Sequence, residues 1–187
     1  MLSVSGCSCF VETPDKSVEA VLYRNIDHHR EMERYKACLL LGELVLSDRL
    51  LWEIREKIGA NESADLCRRY LLAKRSGKPS DITAYVEAFP IGRRQQWIWE
   101  THFSAGFPVD FSSPYFAVLS DQAMYAKNDR ALETLVSGLP YADGSAAETL
   151  VGLLADMYSA HPDRVMRALD KTRISKQIKD LIVATSQ

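Results

Sequence analysis

The sequence predicts an all-α protein made of stacked antiparallel helix pairs. Apolar residues recur at helical spacing along most of the chain, and no segment alternates polar and apolar residues for long enough to indicate a sheet. A unit of Met-Tyr, a turn and Asp-Arg begins at Met124 and begins again at Met157. Such recurrence is typical of helical repeats, in which each unit stacks on the next.

Length and composition favour one globular domain with a sizeable core. The chain has 187 residues, of which 47% are hydrophobic, with only 9 Gly and 7 Pro. Acidic residues number 25 and basic residues 23, so no strong net field attracts nucleic acid or anionic lipid. Nucleic-acid binding is therefore not expected. The apolar run at 38–46 is too short for a transmembrane helix, which needs roughly 20 residues.

The predicted helices follow one another with short breaks. Thr13 and Pro14 supply a capping residue and a first helical position, so a single helical domain is expected at 14–187, after a flexible tail at 1–13. The second helix is expected from about His28. Further helices are expected at 50–58, 66–71, 80–89, 114–123, 145–157 and 174–182, with two more opened by Asp129 and Asp163. The segment 105–114 is the one substantial predicted loop, and a subdivision of the domain is possible near 104–113.

The repeated unit has a weaker copy around Asp48 and Arg49. Asp at such a position is expected to accept hydrogen bonds from the unpaired N–H groups of the first helical turn. With a period of about 34 residues, the pattern resembles HEAT-like and tetratricopeptide-like α-solenoids, although the Trp, Leu-Gly and Tyr positions of the tetratricopeptide repeat are not found. The resemblance implies a right-handed α-solenoid, and an irregular helical bundle is the alternative.

The N-terminal residues Val4-Ser5-Gly6-Cys7 resemble the lipobox of bacterial lipoproteins. In that family the lipobox cysteine is acylated, which here implies lipidation of Cys7. A working export signal also needs a basic segment and an apolar segment of roughly 7–15 residues, whereas only residues 1–6 precede this cysteine. The resemblance therefore implies a true start upstream of Met1 and a lipid-anchored protein of the periplasm or outer membrane. Without such a start, a cytoplasmic protein is expected.

Two further cysteines, Cys38 and Cys67, fall in separate predicted helices. In an oxidising compartment they can form a disulfide, and in the cytosol they would be small buried hydrophobic residues. Because cysteine is so commonly buried unpaired, the unpaired interpretation is favoured. The cysteines lack the C-x-x-C spacing of a zinc site, and no metal or cofactor is predicted.

Catalytic patterns are weak. His29 and Glu33 would share one face of a helix, and with His28 they are the nearest approach to a metal site. Neither G-x-S-x-G nor a Gly-rich phosphate loop occurs. Two further hypotheses are a Cys67 nucleophile paired with His102 or His161, and a raised pKa for a buried Glu43. An enzyme is not expected.

Aromatic and basic residues concentrate between 93 and 116. Trp97 and Trp99 are two residues apart, so on a helix they cannot both face the core. Since Trp, Tyr and Arg dominate interface energetics, this segment is the predicted protein-binding surface. The alternative is that these residues join the two halves of the domain. The predicted interface residues are Arg93, Arg94, Trp97, Trp99, Phe107, Phe111 and Tyr115.

These patterns favour a non-catalytic protein that binds another protein, as an accessory or immunity-type protein of the bacterial envelope. A metal-binding protein or enzyme centred on His28, His29 and Glu33 is one alternative. A cytosolic regulatory interaction module is another.

Overall fold

The computed structural model describes residues 16–59, 62–92, 102–104, 107–109, 112–142 and 144–187. Most of these residues lie in ten α-helices, and two short strands form an antiparallel hairpin. The helices are α1 (Lys16–Asn25), α2 (Glu31–Glu43), α3 (Asp48–Glu56), α4 (Glu62–Arg75), α5 (Pro79–Ala88), α6 (Ser112–Met124), α7 (Asp129–Gly138), α8 (Gly144–Ala160), α9 (Pro162–Lys171) and α10 (Lys176–Thr185). The strands are β1 (His102–Ser104) and β2 (Phe107–Val109), and a 3-10 helix spans Leu139–Tyr141.

The helices pack in two layers. In the first layer α2 contacts α4, α4 contacts α6, α6 contacts α8, and α8 contacts α10. In the second layer α5 contacts α7 and α7 contacts α9, while an ion pair joins α3 to α5. Consecutive helices of the two layers also pack together, as α4 does with α5, α6 with α7 and α8 with α9. This order of contacts is that of stacked helix pairs.

The all-α prediction is confirmed by these helices. The HEAT-like and tetratricopeptide-like resemblance, the right-handed course of the solenoid and the domain limits stay predictions. The segment 105–114 is not a plain loop, because β2 lies within it and α6 already begins at Ser112. Among the residues that the structure describes, no helix has the length and apolar character needed to cross a membrane.

The structure corrects one sequence-based expectation about how the helices begin. The side chains of Ser47, Asn128 and Ser175 cap α3, α7 and α10 by accepting hydrogen bonds from first-turn N–H groups. Asp48 and Asp129 are the first helical residues rather than the caps. Their carboxylates still complement the helix dipole. At Asp48 and Asp129 the predicted first-turn hydrogen bonds are therefore made by the preceding residue, whereas α9, which carries Asp163, has no side-chain cap.

Candidate functional site

A disulfide joins Cys38 of α2 to Cys67 of α4. Both residues are buried, and their Cα atoms are 5.8 Å apart. The structure therefore differs from the favoured expectation of two unpaired cysteines. The Tyr115 hydroxyl, from α6, donates to the Cys38 sulfur at 3.6 Å. The disulfide and this hydroxyl together connect three successive helices of the first layer.

An aromatic cluster adjoins the disulfide through Tyr115. Tyr115 contacts the rings of Tyr35 and Tyr70, with ring centroids 5.9 and 5.3 Å apart. The Tyr85 hydroxyl donates to the Tyr115 carbonyl at 2.8 Å, so α5 is tied to α6 through the core. Edge-to-face contacts of this kind add stabilisation beyond the burial of apolar area. The cluster joins the helices before and after residues 93–111.

Burial strongly raises the pKa of Tyr85 above its ordinary value, and the nearby Tyr115 and Tyr70 raise it further. The native state therefore holds this phenol neutral, whereas the unfolded chain ionises it near pH 10. Its contribution to stability is complete below pH ~10 and is lost as the pH rises beyond that value.

We expect Tyr85→Phe to cost about 1 kcal/mol at neutral pH, through loss of the hydrogen bond to Tyr115. We also expect it to make the loss of stability above pH ~10 shallower. Urea unfolding at several alkaline pH values measures both effects. Tyr125→Phe is the control, since that side chain is 79% exposed. If the free energy of unfolding falls as steeply above pH ~10 in Tyr85→Phe as in the wild type, Tyr85 is not the source of this pH dependence.

A buried arginine on α4, Arg68, holds the connection between α1 and α2. Its side chain is 1% exposed, and its guanidinium pairs with Asp27 at 2.5 Å and with Asp65 at 3.1 Å. The second oxygen of Asp65 accepts from the Gly59 N–H at 2.7 Å. Asp27 lies between α1 and α2, so this network holds that turn against α4. Buried arginine needs such pairing, because an unpaired buried charge is strongly destabilising.

The repeated Asp-Arg unit connects successive helix pairs. The Arg164 Nε atom lies 2.6 Å from Asp129 Oδ1, so the Arg of the second unit pairs with the Asp of the first. A second nitrogen of Arg164 donates to the Ala123 carbonyl at the end of α6. The weaker copy at Arg49 pairs instead with Glu53 on its own helix. The repeat therefore marks a structural connection between units in the C-terminal half.

We expect Arg164→Ala to lower the free energy of unfolding by about 1–2 kcal/mol, because two charge-assisted hydrogen bonds between helices are lost. Arg49→Ala is the matched control. That side chain is 87% exposed, and its pair within one helix is worth less than about 0.5 kcal/mol. Chemical denaturation measures both variants. Equal losses in the two would remove the special role given to Arg164.

Most of the predicted interface between residues 93 and 116 stays a prediction. The prediction is wrong for Tyr115, because this residue is only 3% exposed and its ring lies in the aromatic cluster. It does not belong to a binding surface. Only the backbone of Phe107 is described, in β2. The remaining predicted residues lie outside the described part of the chain, and so does the predicted lipidation site: Arg93, Arg94, Trp97, Trp99, Phe111 and Cys7.

The group of His28, His29 and Glu33, considered from the sequence as an alternative metal site, is not assembled on one helix face. The helix begins at Glu31, so His28 and His29 precede it and His29 does not share a helical face with Glu33. The His28 and His29 rings stack with centroids 4.3 Å apart, and His28 Nδ1 accepts from the Arg30 N–H. Within the described ranges, no group of three or more potential ligands is arranged to hold a metal ion.

Two other chemical hypotheses also fail. Cys67 is in the disulfide, so it is not available as the nucleophile proposed with His102 or His161. Glu43 is exposed rather than buried, and its carboxylate lies 2.6 Å from Lys74. The hydrogen bond and the charge of Lys74 lower the pKa of Glu43, which is the reverse of the raised pKa considered from the sequence. Apolar neighbours along a helix do not bury a residue on its outer face.

Exposed large apolar side chains concentrate at the N-terminal end of the stack. Five of the eight found among the described residues lie in α1, α2, α3 and the turn between α2 and α3. They are Val18, Val21, Leu40, Val45 and Trp52, with exposed fractions from 47% to 72%. The other three, Ile91, Tyr125 and Leu181, are in separate parts of the chain.

No protein-family model, curated protein or solved structure matches this chain.

Contacts to α3 fix the position of α1. The Glu19 carboxylate accepts from the N–H and the hydroxyl of Ser47, at 3.1 and 3.2 Å. The Tyr23 hydroxyl donates to the Glu53 carbonyl at 3.1 Å. These contacts hold one side of α1 and leave Val18 and Val21, three residues apart on the helix, facing solvent. We call the exposed residues Val18, Val21, Leu40 and Val45 the N-terminal apolar surface.

Sequence reasoning missed this surface, although a signal was present. From Val18 to Tyr23 only Glu19 is polar, so the middle of α1 is apolar on most of its sides. Such a helix is normally covered on all sides. Among the described elements, α1 packs against α2 and is hydrogen-bonded to Ser47 and to Glu53 of α3. The combination predicts an exposed apolar face.

Proposed function

We propose that this protein is a non-catalytic helical protein that binds another protein. The observation that carries the proposal is the N-terminal apolar surface. Exposed apolar residues in contiguous groups mark interaction sites, whereas single scattered ones are ordinary. Outside the four residues of this surface, Trp52 on α3 is also 59% exposed, and Trp is the residue type that most often dominates binding energy.

A comparison of the two ends of the stack supports this proposal. Terminal helices of stacked-helix proteins need a polar outer face to stay soluble. At the C-terminal end, the exposed residues of α10 are mostly polar: they are Lys176, Gln177, Asp180 and Thr185, together with Leu181 and Ala184. At the N-terminal end, within the part of α1 whose side chains the structure describes (18–25), the exposed residues are Val18, Ala20, Val21 and Arg24. We infer that a partner covers this end.

We further propose that this protein binds its partner in the bacterial envelope. The more specific hypothesis is that it acts there as an accessory or immunity-type protein. The disulfide between Cys38 and Cys67 supports an oxidising compartment, because structural disulfides are rare in the cytosol. The lipobox-like residues ending at Cys7 support the same location from the sequence. The disulfide argues against a cytosolic regulatory module.

Affinity purification from cells of the source organism tests the proposal when it is followed by binding measurements with the purified candidate partner. We expect a partner that binds the wild-type chain and loses at least about tenfold in affinity with Val21→Asp, since a charge must be buried in an apolar contact. Leu181→Asp is the matched control, because Leu181 is 52% exposed at the opposite end. Equal binding by the two variants would exclude the N-terminal apolar surface.

The predicted interface at 93–116 remains a second proposal for the same function. The variants Trp97→Ala and Trp99→Ala test this second surface, and their affinity for the same purified partner is measured. Loss of binding there, with full binding by Val21→Asp, would move the interface to the aromatic segment. Full binding by both sets of variants would leave neither surface as the binding site.

A further inference from the structure

A cleft of about 220 Å³ lies between α7 and α9, and neither the repeat nor the proposed function explains its charges. Its floor consists of Leu132 and Ala168, which are 2% and 7% exposed. The α7 wall contributes Asp129 and Glu133, and the α9 wall contributes Arg164, Arg167 and Lys171. The cleft therefore has three cations, two anions and an apolar floor.

The pairing between the walls is incomplete. Arg164 pairs with Asp129 and Lys171 pairs with Glu133, each at 2.6 Å. Arg167 lies between these two cations on α9, and its side chain makes no hydrogen bond or ion pair to any described residue. The two acids on α7 are four residues apart, whereas the two outer cations on α9 are seven residues apart. Between the two acids α7 presents Leu132 to the cleft, so the middle cation has no acid opposite it.

We propose that this cleft binds a single carboxylate on a short aliphatic stem, with Arg167 as its main partner. A guanidinium offers two parallel N–H donors that fit the two oxygens of a carboxylate. Leu132 and Ala168 can cover the methylene groups of the stem. The volume is smaller than the roughly 300–1,000 Å³ of sites for drug-sized ligands, so it suits one acidic side chain or one small carboxylic acid.

The flanking ion pairs make the site selective. They keep Asp129 and Glu133 on Arg164 and Lys171, so neither acid needs to move for Arg167 to receive a ligand. They also place one negative charge near each end of the cleft. A ligand with a single carboxylate avoids these charges, whereas a polyanion meets them. This inference does not depend on the N-terminal apolar surface.

The proposal is tested by titrating carboxylate probes into the isotope-labelled protein. Binding is monitored through the NMR signals of the arginine Nε–H groups. The probes are sodium butyrate and a neutral-ended peptide with one Glu among glycines, at constant ionic strength set with sodium chloride. We expect saturable shifts at Arg167 with at least one probe. We also expect at least tenfold weaker binding by Arg167→Gln, followed through backbone amide signals of α7 and α9.

Arg24→Gln is the matched control, because Arg24 is exposed on α1, far from the cleft in the order of the stack. Its binding should equal that of the wild type. Saturation with butyrate alone identifies a free small acid as the ligand, and saturation with the peptide alone identifies an acidic side chain of a protein. Absence of saturation with both probes, or equal affinity in Arg167→Gln, overturns the proposal.

Discussion

Replacing Arg68 with alanine is expected to lower the free energy of unfolding by about 3–5 kcal/mol. The guanidinium is 1% exposed and pairs with Asp27 and Asp65. Its removal leaves Asp65, whose side chain is only 16% exposed, without its cation, and it opens space in the core. Urea unfolding monitored by circular dichroism measures the loss.

Arg69→Ala is the matched control for this prediction. Arg69 is the next residue on α4, is partly exposed, and pairs with no described residue, so its loss should change stability by no more than about 0.5 kcal/mol. Arg68→Met keeps most of the side-chain volume and should lose less than Arg68→Ala if the chain repacks around it. A loss below about 1 kcal/mol in Arg68→Ala would contradict the anchoring role of this network.

Reduction of the disulfide between Cys38 and Cys67 is expected to cost about 3–4 kcal/mol. The two cysteines are 29 residues apart in the chain, and closing a loop of that length restricts the unfolded state by about this amount. For a chain of this size the melting temperature should fall by about 10 °C. Thermal and urea unfolding of the oxidised and reduced protein check the prediction.

The Cys38→Ala/Cys67→Ala double variant controls for other effects of the reductant. It should be less stable than the oxidised wild type, and reductant should not change its unfolding curve. If reductant destabilises the double variant as much as the wild type, the effect does not come from this disulfide. If reduction leaves the wild type unchanged, the disulfide does not stabilise the stack.

Helix content was largely predictable because local residues determine it. Pro90 predicted the end of α5, which the structure places at Ala88, and the apolar residues of 50–58 predicted α3. The hairpin of β1 and β2 was not predicted, because strands of three residues are too short to show alternation. The start of α2 was placed three residues early, so the proposed His29 and Glu33 face was wrong.

The candidate sites depended on tertiary contacts that local patterns do not encode. The disulfide requires α2 and α4 to lie side by side, and two cysteines 29 residues apart do not reveal that. Arg68 and Asp27 pair across 41 positions of the chain. Tyr115 seemed suited to an interface because aromatic type alone does not separate a core ring from a surface ring. The pair between Arg164 and Asp129 appeared only with the packing of α9 against α7.

Amide hydrogen exchange of the chain with and without its purified partner tests the central claim most directly. If the N-terminal end of the stack is the binding surface, exchange should slow in α1 and in the C-terminal half of α2, around Val18, Val21 and Leu40. Exchange in α10, around Leu181, should be unchanged. Protection confined to α8 to α10, or the same exchange everywhere with and without the partner, would contradict the account.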